Sequence, residues 1–171
     1  IGADTIKTSD MITRKWLDNN FSGFTMNLNR KIKNIKFIAG LSGSIYEGNH
    51  FGEVIWSEFA SNSSIRHLFY DNNAEKTTLN SFIKLNYTFN EKFNFLVELN
   101  KKNISYNFIG FNSEGNYDDQ NIDLKFMNPK IGFTHKINKN QKSYVSLGIS
   151  NQEPNRNDYR YSSPESRPVA E

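Results

Sequence analysis

The sequence predicts an all-β protein, an antiparallel up-and-down meander of about six long strands. Apolar residues recur with a period of two along most of the chain and almost nowhere with the period of a helix. Several alternating segments reach about ten residues, whereas strands in globular proteins average about five or six. Short turns rich in Asn and Lys alternate with long polar stretches. This rhythm is typical of hairpins that follow one another along the chain.

The first two strands are predicted at residues 23–30 and 35–46. Phe24 and Leu28 alternate with polar residues in the first, and a short basic turn leads to the second. The second strand alternates in the same way, with its apolar residues at odd-numbered positions. A long irregular connection is expected over residues 47–78, because no period-two contrast is visible there.

The third and fourth strands are predicted at residues 79–89 and 93–103. The tight turn Asn-Glu-Lys at 90–92 joins them into a hairpin. A second polar stretch follows at residues 107–120 and is expected to be a loop.

The last two strands are predicted at residues 123–137 and 142–151, joined by an Asn-rich turn at 138–141. We expect the six strands to pair in sequence order as one curved sheet. The tail from residue 151 to 171 is polar and interrupted by Pro, so it is expected to be irregular.

The strand lengths favour a partial wall of a large transmembrane β-barrel, whose strands need about 9–11 residues to cross a bilayer. Short turns at one end and long loops at the other are also typical of outer-membrane barrels. The alternative is a soluble β-sandwich, which alternates because one face of each sheet is core. On the barrel interpretation, the lipid-facing residues are Phe24, Leu28, Phe37, Leu41, Leu85, Phe95, Val97, Ile131, Phe133, Val145 and Leu147. The lumen-facing residues are Asn27, Ser42, Lys84, Glu98, Lys130 and Ser146.

Composition excludes several other classes. The 171 residues suffice for one domain, and a mean hydropathy of −0.69 without any long apolar run excludes a spanning helix. No Cys is present, so disulfides and thiolate chemistry are excluded. Lys and Arg are spread along the chain with a net charge of +3, so no nucleic-acid partner is expected.

Residues that carry chemistry are sparse. His50, His67 and His135 lack the spacing of a metal site, and no nucleophile, base and orienting group can be assigned together. The acidic stretch 116–123 could hold calcium, but a solvated loop is the simpler interpretation. We therefore expect neither an enzyme nor a metal or cofactor site.

Three segments resemble the barrel region of TonB-dependent receptors of the Bacteroidetes type. They are KWLDNNFSGF from Lys15, YEGNHFGEVIW from Tyr46 and NPKIGFTHKINKNQKSYVSLGISNQEPNRNDY from Asn128. The last is the most specific, because strand, Asn-rich turn, strand and Asn-x-Glu-Pro-x-Arg-x-Asp occur in the same order in the family. Gln152 stands where the family more often carries Arg.

The resemblance implies a barrel of about 22 strands filled by an N-terminal plug. Residues 1–171 would then be an internal segment of the barrel domain, without the plug, a signal peptide or the remaining strands. The implied location is the cell outer membrane. The implied partners are outer-membrane lipid, the rest of the barrel and plug, TonB acting through that plug, and a small nutrient ligand. An iron chelate such as a siderophore is the first expectation for the cargo, followed by cobalamin or an oligosaccharide. The rival function is that of a soluble or surface-attached β-sandwich binding module.

Two sets of residues are the functional candidates. The stretch 46–59 mixes aromatic and acidic residues at an expected extracellular strand exit, a composition that suits flat or chelated ligands. The expected ligand-binding residues, in extracellular loops, are Tyr46, Glu47, His50, Phe51, Trp56, Arg156 and Tyr159. Glu153, Arg156 and Asp158 are expected to form a charged network that braces the base of a loop.

Overall fold

The computed structural model describes residues 8–59, 64–111 and 115–155. Every regular element in these ranges is a strand, and the ranges contain no helix that could cross a membrane. The strands are β1 Met11–Ile32, β2 Ile35–Ser57, β3 His67–Thr88, β4 Phe93–Phe111, β5 Tyr117–Lys136 and β6 Lys142–Gly148.

The strands form one six-stranded sheet in the order β1-β2-β3-β4-β5-β6. Each strand is antiparallel to its neighbour in sequence, so the predicted up-and-down meander is confirmed. A sandwich would need two stacked sheets, whereas the described strands make a single sheet.

The chain divides into two compact units. Unit 1 takes its described residues from the ranges 1–21, 46–76 and 106–121, and unit 2 takes them from 22–45, 77–105 and 122–171. Unit 2 contains nearly all of the predicted strand segments. Unit 1 contains most of the two stretches that were predicted to be loops.

One face of unit 2 is apolar and exposed. Phe95 lies 5.1 Å from Phe133 between ring centroids, and Phe133 is paired with Val145 across β5 and β6. Val97 and Leu147 keep 51% and 69% of their surface accessible. Alternate residues of a strand share a face, so this face extends over all six strands. It holds every residue predicted to face lipid: Phe24, Leu28, Phe37, Leu41, Leu85, Phe95, Val97, Ile131, Phe133, Val145 and Leu147.

The opposite face of unit 2 is polar. Lys84 and Glu98 form an ion pair at 3.5 Å, and Asn100 donates a 3.1 Å hydrogen bond from Nδ2 to Asn80 Oδ1. The predicted lumen-facing residues Asn27, Ser42, Lys84, Glu98, Lys130 and Ser146 share this face by the same alternation.

Asn side chains fix two of the short turns in unit 2. Asn90 Oδ1 accepts hydrogen bonds from the backbone N–H groups of Lys92 and Phe93, at 2.9 and 3.0 Å. Asn138 Oδ1 accepts one from Asn140 N–H at 2.9 Å. Such Asx turns satisfy backbone donors locally and set the register of the hairpins that they close.

Strand β6 ends at Gly148, three residues before the predicted end at 151. Lys130 pairs with Gly148, and the next residue of β5 is Pro129, which has no N–H to donate. Ile149 N–H still donates to Pro129 O at 2.9 Å, and Asn128 Oδ1 accepts from Asn151 N–H at 2.8 Å. Pro129 therefore ends the regular ladder, and one further backbone bond and the side chain of Asn128 hold the continuing chain.

The predicted long loops are wrong over most of their length. Strand β2 continues to Ser57 and β3 begins at His67, so residues 58–66 make the connection instead of 47–78. In the same way, β4 runs to Phe111 and β5 begins at Tyr117. In β2 and β3 these extensions contain consecutive polar residues or glycine, such as Gly48 and Asn49 or Asp71 and Asn72, which interrupt the apolar alternation that would indicate a strand. Pairing with the neighbouring strands satisfies their backbone amide groups.

Unit 1 has a small core of its own. Phe108 is completely buried, and Tyr70 and Ala74 of the same unit are buried as well. A Cβ atom on Gly52 would meet the rings of Phe69 and Tyr70, so the absence of a side chain at Gly52 makes room for this aromatic pair.

Candidate functional site

A buried carboxylate organises one side of unit 1. Glu53 is 6% exposed, and its Oε1 accepts hydrogen bonds from Arg14 Nη2 at 2.6 Å, Arg14 Nε at 2.9 Å and Trp16 Nε1 at 2.9 Å. Arg66 Nε lies 4.0 Å from the other carboxylate oxygen. The three donors reach Glu53 because antiparallel pairing brings β1 beside β2.

This geometry keeps Glu53 ionised. The hydrogen bonds from Arg14 and then Trp16 lower the pKa of Glu53, and the charges of Arg14 and Arg66 act in the same direction against the effect of burial. A carboxylate held in this way does not give or take protons near neutral pH. Its role is that of a fixed anion that orders the aromatic and cationic side chains around it.

Aromatic rings cover the ion pair. Trp16 stacks on Phe51 with 6.3 Å between centroids and 23° between planes, and Arg14 Cζ lies 4.7 Å from the Trp16 ring centroid. A guanidinium over an indole face is a favourable cation–π contact. Trp16 still keeps 43% of its surface exposed.

A second cluster of hydrogen-bonded side chains lies around Tyr46, where β2 enters unit 1. Tyr46 Oη donates to Asn19 Oδ1 at 2.8 Å and lies 3.2 Å from His50 Nε2. Because Tyr46 has already given its only proton to Asn19, His50 Nε2 is the donor in the second contact. The phenol is thereby fixed between two strands.

A polar groove of about 370 Å³ forms a third feature of unit 1. Its lining includes three carboxylates and four amides, and no Lys or Arg contributes. The Oδ1 atom of Asn49, one of those amides, is buried and makes no hydrogen bond to the described residues. The lining residues are Asp18, Asn20, Glu47, Gly48, Asn49, Asn73, Ala74, Glu75 and Asn107. Such a surface presents acceptors to ligands rich in hydroxyl or amino groups.

The structure separates the residues predicted to form one ligand surface. The five of them that the structure describes lie in strand β2 and not in a loop, so successive side chains point to opposite faces. Tyr46 and His50 contact each other, whereas Phe51 contacts Trp16 on the other face. Glu47 lines the groove, and Trp56 is 51% exposed at the far end of the strand.

The predicted charged network is described only in part. Glu153 Oε2 accepts from Lys102 Nζ at 3.1 Å, a partner on β4 that the sequence did not suggest. Arg156, Asp158 and Tyr159 lie outside the described residues.

The residues that the sequence interpretation missed are Arg14, Trp16, Asn19 and Arg66. Arg14 and Trp16 stand 39 and 37 positions from Glu53 in the chain, so only strand pairing brings them together. Trp16 and Asn19 belong to the motif KWLDNN, which begins the first of the three segments that resemble TonB-dependent receptors. This motif was the only indication in the sequence that these two residues could belong to the site.

The described residues contain no group of three or more His, Asp or Glu side chains arranged to hold a metal ion. No protein-family model matches the chain, and no curated protein matches it. The described residues of unit 1 thus present fixed anions, amides and aromatic rings.

Proposed function

We propose that this chain is part of the wall of an outer-membrane β-barrel, in a receptor for TonB-dependent nutrient uptake. The observation that carries the proposal is the exposed apolar face of unit 2, which extends over six antiparallel strands and lies opposite a polar face. Apolar patches on soluble monomers rarely exceed a few hundred Å². An apolar face of this kind is compatible with contact to the hydrocarbon chains of a lipid bilayer.

The extent of the apolar alternation supports the same proposal. Along β2, odd-numbered positions are apolar from Phe37 to Ile45 and then become Glu47 and Asn49. The apolar stretch 37–45 is close to the roughly 9–11 residues that a tilted barrel strand needs to cross a bilayer. On this proposal the rest of β2, which begins with Glu47, lies outside the hydrocarbon layer of the bilayer.

The surface of unit 1 would then be the ligand side. Fixed phenol, indole and carboxylate groups and the acceptor-lined groove suit a polar, partly flat nutrient that porins exclude. The resemblance of three segments to TonB-dependent receptors supports energised import as the function. An iron chelate is our first choice of cargo, and cobalamin or an oligosaccharide comes second.

Lipid contact can be tested residue by residue. Because the chain has no Cys, single Cys variants carry a unique fluorescent label. In lipid vesicles, bromine-labelled acyl chains should quench probes at Val97 and Leu147 and should leave probes at Glu98 and Ser146 bright. Equal quenching on both faces would contradict insertion as a barrel wall.

The receptor part of the proposal has its own test. Disruption of the gene should abolish growth on one scarce nutrient, and loss of TonB should reproduce that defect. Screening iron chelates, cobalamin and oligosaccharides as sole sources would identify the cargo. Normal growth on every source would contradict the receptor function. It would leave the conclusion from the quenching experiment unchanged.

A further inference from the structure

Four lysines line one cavity at the turn end of unit 2. Lys92, Lys136, Lys139 and Lys142 share a space of about 430 Å³, and Glu91 is the one carboxylate in its lining. All four lysines are exposed. The remaining lining residues include several that carry amide or hydroxyl groups, among them Asn94 and Thr134.

The fold holds these lysines together. Lys136 and Lys142 are direct partners across β5 and β6, and Lys136 N–H donates to Lys92 O at 2.7 Å. The turns that carry Lys92 and Lys139 are fixed by the side chains of Asn90 and Asn138. The positive groups are therefore brought near one another before any ligand arrives.

Such an arrangement is unfavourable without an anion. Like charges directly opposite each other on neighbouring strands destabilise the pair. Among the described residues, no carboxylate lies within ion-pair distance of any of these four lysines. A compact group with more than one negative charge would relieve the repulsion.

We propose that this lysine cavity binds a phosphoryl group. A phosphate monoester carries about −1.5 to −2 charges at pH 7, whereas a carboxylate carries one. Lysine ammonium groups bind phosphate as compact point charges, and the neighbouring amide and hydroxyl groups can donate to its remaining oxygens. The molecule that carries this phosphoryl group is either a free phosphorylated solute or a lipid with a phosphomonoester headgroup. This inference does not depend on the proposed transport function.

The test uses the whole chain in nonionic detergent, with pyrophosphate as the probe in titration calorimetry. Lys136→Gln with Lys142→Gln should weaken binding by about fivefold for each charge removed. Glu91→Gln should tighten binding by a similar factor, because it removes the carboxylate from the cavity. The matched control, Lys125→Gln with Lys130→Gln, makes the same charge change elsewhere on β5 and should alter affinity less than twofold. Circular dichroism should show equal strand content in all variants.

Lipid competition identifies the source. Displacement of pyrophosphate by phosphatidic acid, but not by phosphatidylcholine, would assign the cavity to a lipid headgroup, and no displacement would assign it to a free phosphate. Three results would overturn the inference. They are no binding of pyrophosphate at low salt, an equal loss in the control variant, or tighter binding of hexaglutamate than of pyrophosphate.

Discussion

Glu53 illustrates how single residues stabilise a strand pair that has little apolar surface. Its carboxylate accepts three hydrogen bonds from two residues of β1, Arg14 and Trp16, and lies close to a second cation, Arg66. A buried charge is tolerated only when it is paired and hydrogen-bonded, and Glu53 meets both conditions. Removal of any one of these donors should therefore weaken the stabilisation of the ionised carboxylate.

The lowered pKa of Glu53 predicts acid sensitivity of unit 1. The stabilisation is present above the usual Glu pKa of about 4.3 and is lost as pH falls through the lower pKa of the folded state. Glu53→Gln should lower the unfolding midpoint at pH 7, and its difference from the wild type should shrink below about pH 4. Denaturant titrations across this range measure the effect. A difference that stays constant with pH would contradict the assignment.

Trp16→Phe tests the hydrogen-bond contribution separately. It removes the indole N–H donor and keeps an aromatic ring beside Phe51. The pKa of Glu53 should rise toward its usual value, while Arg14 still holds it below that value. The shift can be followed by NMR of a ¹³C-labelled Glu carboxyl group. Trp56→Phe is the matched control and should leave the pKa unchanged.

Gly110 and Gly115 should differ in the cost of a substitution by Ala. Its φ is 127°, and a Cβ atom there would meet the backbone of Asp71 and Asn72. Gly115 also has a positive φ of 82°, but a Cβ atom there would have nothing within 4 Å. Gly115→Ala should cost only the backbone strain, roughly 1 kcal/mol. Gly110→Ala should cost about 1–3 kcal/mol more because of the clash.

Denaturant unfolding of both glycine variants in detergent would measure these costs. Equal losses for the two variants would show that the clash at Gly110 is relieved by movement of β3.

At the scale of the strand, the alternation of apolar and polar residues determined which parts of each strand could be predicted from the sequence. In unit 2, apolar and polar residues alternate clearly, and the strand ends that lie in this unit were predicted within a few residues, as with the start of β4 at Phe93. The opposite ends were predicted wrongly: β1 begins at Met11 instead of residue 23, and β4 ends at Phe111 instead of residue 103. In unit 1, neighbouring positions such as Asn72 and Asn73 are both polar, so the two faces look alike in sequence. Pairing of the backbone makes these segments strands, and that pairing is a property of the hairpin as a whole.

The candidate site was predictable only in composition. The aromatic and acidic character of residues 46–59 pointed to the segment of β2 that contains Tyr46, Phe51 and Glu53. It did not show that Tyr46 and Phe51 would face opposite ways, because a loop had been expected there. The partners on β1 and β4, Arg14 and Lys102 among them, depend on strand register, which sequence spacing does not contain.

Face assignment gives a prediction for β4. Val97 lies on the apolar face and is 51% exposed, whereas Asn100 points to the polar face and bonds to Asn80. In a complete barrel embedded in lipid, Val97→Arg should destabilise by about 2–4 kcal/mol. Asn100→Arg should cost far less, because its charge would face water. Unfolding free energies measured in bilayers would distinguish the two, and equal costs would contradict the facing.

At the scale of the whole molecule, the apolar face and the sheet edges determine behaviour in solution. Strands β1 and β6 each have one partner among the described strands, so each presents an edge of unpaired backbone groups. Exposed edges and exposed apolar surface both favour association.

We therefore expect the 171-residue chain, expressed alone, to aggregate in plain buffer and to remain dispersed in detergent or denaturant. In plain buffer it should not fold stably, and by itself it should not transport a ligand. Light scattering and size-exclusion chromatography with and without detergent test this expectation. A monodisperse monomer with a cooperative melt in buffer would contradict it.

The order of the strands also has a consequence for how the sheet assembles. Every strand pairs with its neighbours in sequence, and locally bonded Asn turns close two of the hairpins. Closing a short turn costs little chain entropy, so each hairpin can form by itself and serve as the template for the next. A sheet of this kind grows by accretion, one hairpin at a time. Lengthening a hairpin at its open end, as the extensions of β3 and β4 do for the hairpin that the Asn90 turn closes, leaves the pairing already formed undisturbed.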